Sequence, residues 1–133
     1  MQKLLLAYDG TDHSRRALEL TATMAQKFGA DVTVVSVVPT RSGRSPMDPW
    51  DDSTVHTEEL LEAGRLLREK GIEPRLVETY GAVPETIERL GIEGGFDAII
   101  VGSRSLSMLD RALQGSVSEH VAANADTTVI VAR

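Results

Sequence analysis

Short apolar runs alternate with helix-period segments along the whole chain, and this alternation constrains the fold more than any other feature. KLLLAY (Lys3 to Tyr8) is an apolar run that ends in Asp-Gly and reads as a buried strand. Ser14 to Phe28 follows with Ala17, Leu20, Met24 and Phe28 on one helical face, and Gly29 ends it. Asp31 to Val38 is β-branched and apolar, a second strand stopped by Pro39. The predicted helix from Thr54 to Lys70 points Leu60, Ala63 and Leu67 inward and Glu62, Arg65 and Glu69 outward, with Gly71 as its cap. Pro74 to Tyr80 is a third strand, and Val83 to Gly91 a short helix with Pro84 in its first turn. FDAIIVG (Phe96 to Gly102), SVSEHVAANA (Ser116 to Ala125) and TTVIVA (Thr127 to Ala132) complete the series as strand, helix and strand.

Near-continuous apolar strands bridged by amphipathic helices imply a parallel sheet covered on both faces. The expectation is a doubly wound α/β fold with a five-stranded parallel sheet, built as a single domain over residues 1–133. In such folds ligands sit beyond the carboxyl ends of the strands, where the strand order reverses. Those ends carry Asp9 after the first strand, Val37 and Val38 in the second, and Gly102 after the fourth.

Composition narrows the chemistry. The chain has no cysteine, so disulfides, thiol catalysis and the usual zinc ligands are excluded, and a reducing cytoplasm fits. The N-terminal apolar run is too short for a signal peptide or a membrane span, so a cytoplasmic protein without a membrane role is expected. A net charge of −6 and 4% aromatic residues argue against nucleic acid as a partner. His13, His56 and His120 are scattered and show no second ligand at i+3 or i+4, so no metal site is expected from the protein alone. His13 is read as a solvated residue of the first turn. Asp48, Asp51 and Asp52 surround Trp50 in the irregular stretch from Thr40 to Ser53, where the tryptophan reads as a loop anchor or partner contact. Glu58, Glu59, Glu62 and Arg65 read as a solvated helix face.

The segment between the fourth strand and the last helix, VGSRSLSMLDRALQGSVSEH, is bracketed by glycines and rich in serine. Ser116 followed by Glu119 matches a helix capping box, and the helix start offers unpaired amides to an anion. A well-capped structural helix that meets only water explains the same residues. The chain contains neither G-x-x-x-x-G-K-[ST] nor G-x-G-x-x-G, and no G-x-S-x-G elbow or Ser–His–Asp set accompanies the serines. Arg104, inside the glycine-spaced turn, is a better candidate for phosphate charge than Arg111, and either also reads as a surface charge.

Gly102-Ser103-Arg104-Ser105, nine residues, then Gly115-Ser116 is a spacing that resembles the nucleotide signature of the universal stress protein family. LLLAYDGTDHSRRAL is similar to that family's opening strand, acidic turn and first helix, and GSVSEHVAANADTTVIVAR to its closing helix and strand. The resemblance implies a Rossmann-like sheet, similar to the adenine nucleotide alpha hydrolases, that binds ATP or AMP, with or without Mg²⁺, as a regulatory ligand in stress response. It assigns Asp9 to the adenosine portion, Ala7 to the pocket wall, and the Val37 backbone to adenine. The resemblance also assigns Gly102, Arg104 and Ser105 to the first half of the phosphate loop and Gly115, Ser116, Val117 and Ser118 to the second. It also implies a homodimer through the C-terminal edge strand, whose sequence carries no lysine or proline against such pairing. Ser105 stands where the family pattern has its second glycine; a β-carbon there costs about 1–2 kcal/mol if φ is positive, while its hydroxyl can donate to a phosphate. Two other readings stay open: a dimeric interaction protein that binds no nucleotide, and an enzyme that hydrolyses ATP slowly.

Overall fold

The computed structural model describes residues 2–39, 53–81, 83–102 and 128–132. Five strands, β1 (Lys3–Ala7), β2 (Asp31–Pro39), β3 (Arg75–Gly81), β4 (Ala98–Gly102) and β5 (Thr128–Ala132), form one sheet in the order β3-β2-β1-β4-β5. Every pairing is parallel. The helices α1 (Asp12–Phe28), α2 (Ser53–Glu69) and α3 (Val83–Glu93) lie in the connections between them. The predicted helix from Ser116 to Ala125 and the irregular stretch from Thr40 to Asp52 lie outside the described residues.

Strand composition follows position in the sheet. β4, flanked by β1 and β5, is buried along its whole length, and Leu4, Leu5 and Leu6 of β1 are buried on both faces. Leu4, Leu6, Val32 and Val34 face α1 and α2, whose Ala17, Leu18, Ala22, Leu60, Ala63 and Leu67 complete the first core cluster. Leu5, Val35, Val37, Ile99 and Val101 point the other way and meet Ile87 and Leu90 of α3. This is the period-two alternation of a strand buried on both sides. β5 is the edge strand next to β4, as expected from its place at the end of the chain.

The buried stripe of α1 corrects the sequence reading. Ser14, Ala17, Leu18, Thr21, Ala22 and Ala25 are buried, while Leu20 and Met24 are only half-buried and Phe28 is 56% exposed. The contact face lies about a quarter turn round the helix from the face the larger apolar residues suggest. Small side chains let the helix approach the sheet closely, and Thr21 satisfies its buried hydroxyl by donating to the Ala17 carbonyl at 2.7 Å. Phe28 falls in the last turn beside Gly29, which caps the helix in the left-handed region at φ 65°.

Candidate functional site

The strand order reverses between β1 and β4, and β1 is shorter than its neighbours at the carboxyl end. Its ladder with β2 runs from Lys3–Asp31 to Ala7–Val35 and closes with the Tyr8 amide donating to the Val35 carbonyl at 3.0 Å. Beyond that bond β2 continues to Pro39 beside β3. On the other side β1 pairs with β4 only as far as Leu6–Ile100, and Val101 and Gly102 run on beside β5. The described strands therefore leave a notch above Ala7, walled by the ends of β2 and β4. It lies at the topological switch point, where open α/β sheets hold their ligands.

Of the residues expected at a site, the structure brings Ala7, Asp9, Val37 and Gly102 to this edge. Ala7 ends β1 and is half-buried, while Val37 lies in the part of β2 that outruns β1, its side chain in the second core cluster. Asp9 is exposed in the turn after β1. Gly102 is the last residue of β4, in register with Ala132. A β-carbon on Gly102 would stand 2.6 Å from the His13 carbonyl carbon and 2.7 Å from its oxygen, so α1 begins directly against this glycine. Arg104, Ser105, Gly115, Ser116, Val117 and Ser118 lie outside the described residues.

The acidic turn is built by local hydrogen bonds. Asp9 Oδ1 accepts from the Thr11 amide at 3.0 Å and from its hydroxyl at 2.6 Å. Thr11 is the N-cap of α1, and its Oγ1 accepts from the Ser14 amide at 3.2 Å. This cap starts the helix at Asp12, so His13 belongs to its first turn and not to the loop. Gly10, at φ 79°, makes the bend.

Beneath the turn lies a polar layer, of which Glu59 and Glu62 read from the sequence as solvated. Tyr8, 3% exposed, donates its hydroxyl to Glu62 Oε1 at 2.6 Å, and Arg15 Nε donates to the same oxygen at 3.1 Å. Burial, then the bond to Glu62, pushes the Tyr8 phenol up to about 12. The Tyr8 hydroxyl, its largest cause, and the Arg15 guanidinium hold Glu62 below the ordinary carboxylate value. Glu62 is thus half-buried and bonded rather than outward. Glu59 packs against the turn, its Cγ 3.2 Å from where a β-carbon on Gly10 would lie. His56 Nδ1 is 3.0 Å from the buried Ser36 hydroxyl and 3.5 Å from Glu59 Oε2. A histidine partner at i+3 therefore exists after all. The available signal was periodicity: His56 extends the Leu60–Ala63–Leu67 stripe by one turn. Among the described residues no group of three or more His, Asp or Glu could hold a metal ion.

A parallel α/β sheet whose strand order reverses between β1 and β4 belongs to the doubly wound class, in which ligands bind beyond the strand ends. The family model of the universal stress protein family matches residues 1–133, and the chain belongs to that family. It is 30% identical over 139 residues to a universal stress protein of Thermus aquaticus, covering 98% of this chain and 97% of the relative. Among solved structures it is similar to the universal stress protein from Archaeoglobus fulgidus in complex with dAMP, at 25% identity and a TM-score of 0.68, covering 100% of this chain and 98% of that one. A universal stress protein in complex with cAMP shares the fold at 23% identity and a TM-score of 0.70, covering 99% and 97% of the two chains. Among the described residues no helix is long and apolar enough to cross a membrane.

Proposed function

We propose that the chain binds an adenine nucleotide, ATP or AMP with or without Mg²⁺, as a regulatory ligand at the carboxyl ends of β1, β2 and β4. The observation that carries this reading is the notch left by the short β1 at the switch point, with Asp9, Val37 and Gly102 around it. Asp9, already fixed by Thr11, presents carboxylate acceptance to ribose hydroxyls, Ala7 lines the pocket, and the Val37 backbone meets adenine. Arg104, Ser105 and Gly115 to Ser118 complete the phosphate side, and the dAMP complex of the 25% identical relative supports the ligand class. The ligand sets a conformational or partner-binding state in stress response, with at most slow hydrolysis. The protein acts in the cytoplasm as a homodimer paired through the exposed edge of β5.

The test is thermal denaturation of nucleotide-free protein with and without ATP–Mg²⁺, AMP and GTP. A ligand at a hundred times its dissociation constant adds about 2.7 kcal/mol, a rise of several degrees for a domain of this size. Adenine nucleotides raise Tm, GTP does not, and Asp9→Ala removes the rise. No shift with any nucleotide sinks the reading. It would favour an interaction protein, for which Ser105 in the second glycine position is the motivating residue, and Ser105→Gly should then create binding.

A further inference from the structure

We infer that Glu59, in the second turn of α2 and packed with His56, Ser36 and the Asp9–Gly10 turn, is the proton-binding group of this junction, and that filling the neighbouring nucleotide site draws a proton onto it. The second half of this inference rests on the function proposed above.

Geometry supplies the first argument. Glu59 lies in the crevice between α2 and the turn after β1, against a glycine that leaves room for it. Among the described residues its Oε2 and the Nε2 of His56, both shielded from water, have no hydrogen-bond partner. His56 Nδ1 lies 3.0 Å from the Ser36 hydroxyl and 3.5 Å from Glu59 Oε2. Both contacts fall on the same nitrogen, so this is not the relay of a hydrolytic triad, in which serine and acid occupy opposite ring nitrogens.

Charge supplies the second. Glu59 is faced by Asp9 from the turn, by His56 and Glu62 from its own helix, and by Ser36 of β2 through His56. Tyr8, just after β1, and Arg15 of α1 reach Glu62, and Arg15 is also paired with Asp12. On the β3 side Glu78 accepts from Thr57 at 2.7 Å. Among the described residues three carboxylates thus converge, while Arg15 is already engaged by Glu62 and Asp12, and Arg65, which also acts on Glu62, is paired with Glu69 at 3.0 Å. Burial, then Asp9, then Glu62 push the Glu59 carboxyl up to about 7. A nucleotide bound with its ribose on Asp9 brings a net negative charge near this field and favours the neutral acid further. By reciprocity, the ligand binds more weakly once Glu59 ionises.

Carbon-13 NMR of the full chain, titrated without ligand, tests the junction alone. The Glu59 carboxyl carbon should titrate with a midpoint near neutrality, and the resonance should be absent in Glu59→Gln; a midpoint in the ordinary carboxylate range overturns the inference. Calorimetry with cAMP, whose phosphodiester keeps one charge across this range, then tests the coupling in two buffers of different ionisation enthalpy. Wild-type protein should take up a fraction of a proton near neutral pH and lose about three- to ten-fold in affinity as pH rises by two. Glu59→Gln should bind with neither uptake nor that pH dependence. Equal uptake in the variant refutes the coupling. Absence of binding by cAMP, AMP and ATP–Mg²⁺ refutes the nucleotide reading and the coupling with it, while the titration decides the junction by itself.

Discussion

Gly102→Ala should damage this fold out of proportion to one methyl group. The added β-carbon would stand 2.6 Å from the carbonyl carbon of His13, 2.7 Å from its oxygen and 2.9 Å from its β-carbon. Carbon–carbon contacts are comfortable near 3.5–4.0 Å, so the first turn of α1 would have to withdraw by about 1 Å. It is poorly placed to do so. Thr11 caps the helix and holds Asp9, and Ser14 donates its hydroxyl back to the Thr11 carbonyl at 3.0 Å. On the other side β4 is buried throughout and hydrogen-bonded to β1 and β5. Overpacking of a closed site costs about 1–3 kcal/mol, and contact with backbone places this case in the upper half of that range.

The assay is thermal unfolding of ligand-free protein, with an expected fall in Tm of roughly 6–12 °C. Two controls make the mechanism visible. Gly29 has φ 65° but nothing within 4 Å of its would-be β-carbon, so Gly29→Ala should show only the left-handed strain of about 1 kcal/mol. His13→Ala keeps the clashing carbonyl and β-carbon, so Gly102→Ala should cost as much in that background as in the wild type. Neutral behaviour of Gly102→Ala, or its rescue by His13→Ala, would refute the claim that helix backbone sits against this glycine.

Other consequences concern the polar layer. Tyr8→Phe deletes a 2.6 Å bond to a carboxylate and should cost about 1–2 kcal/mol in chemical denaturation, with Glu62 then titrating closer to an ordinary carboxylate. Thr11→Ala removes the N-cap of α1 and the hydroxyl that steadies Asp9; about 1 kcal/mol should be lost, and Thr11→Ser should restore most of it. Glu59, raised from 4.5 to about 7, holds its proton longer in the folded state than in the unfolded one. Its contribution is therefore complete below about pH 4.5 and falls away as pH rises through about 7. Glu59→Gln should match the wild type in acid and exceed it at pH 8, and a difference that does not change with pH would contradict the assignment.

What could be read in the sequence divides along physical lines. Apolar runs such as Ala98–Val101 and Val32–Val38 announce buried parallel strands because both faces of a central strand must be covered. The alternation does not say on which side of β1 each crossover lands, so the order of strands had to come from the structure. The positions of Asp9 and Gly102 at the carboxyl edge of the sheet were legible because each closes an apolar run. His56, Glu59 and Glu62 were not, because charge along a helix is ordinarily a mark of solvent. Glu88, between Ile87 and Leu90 of α3, is likewise a carboxylate drawn inside, only 3% exposed. Which carboxylate is drawn inside depends on the opposite wall, and at Glu59 that wall is Gly10, distant in sequence. A residue with a β-carbon at Gly10 would meet Glu59 Cγ at 3.2 Å, and its left-handed φ of 79° would disfavour one in any case. The glycine that makes the acidic turn possible is therefore also what lets α2 bring a second carboxylate close to Asp9, and a property of the bend in the chain becomes a property of the charge at its site.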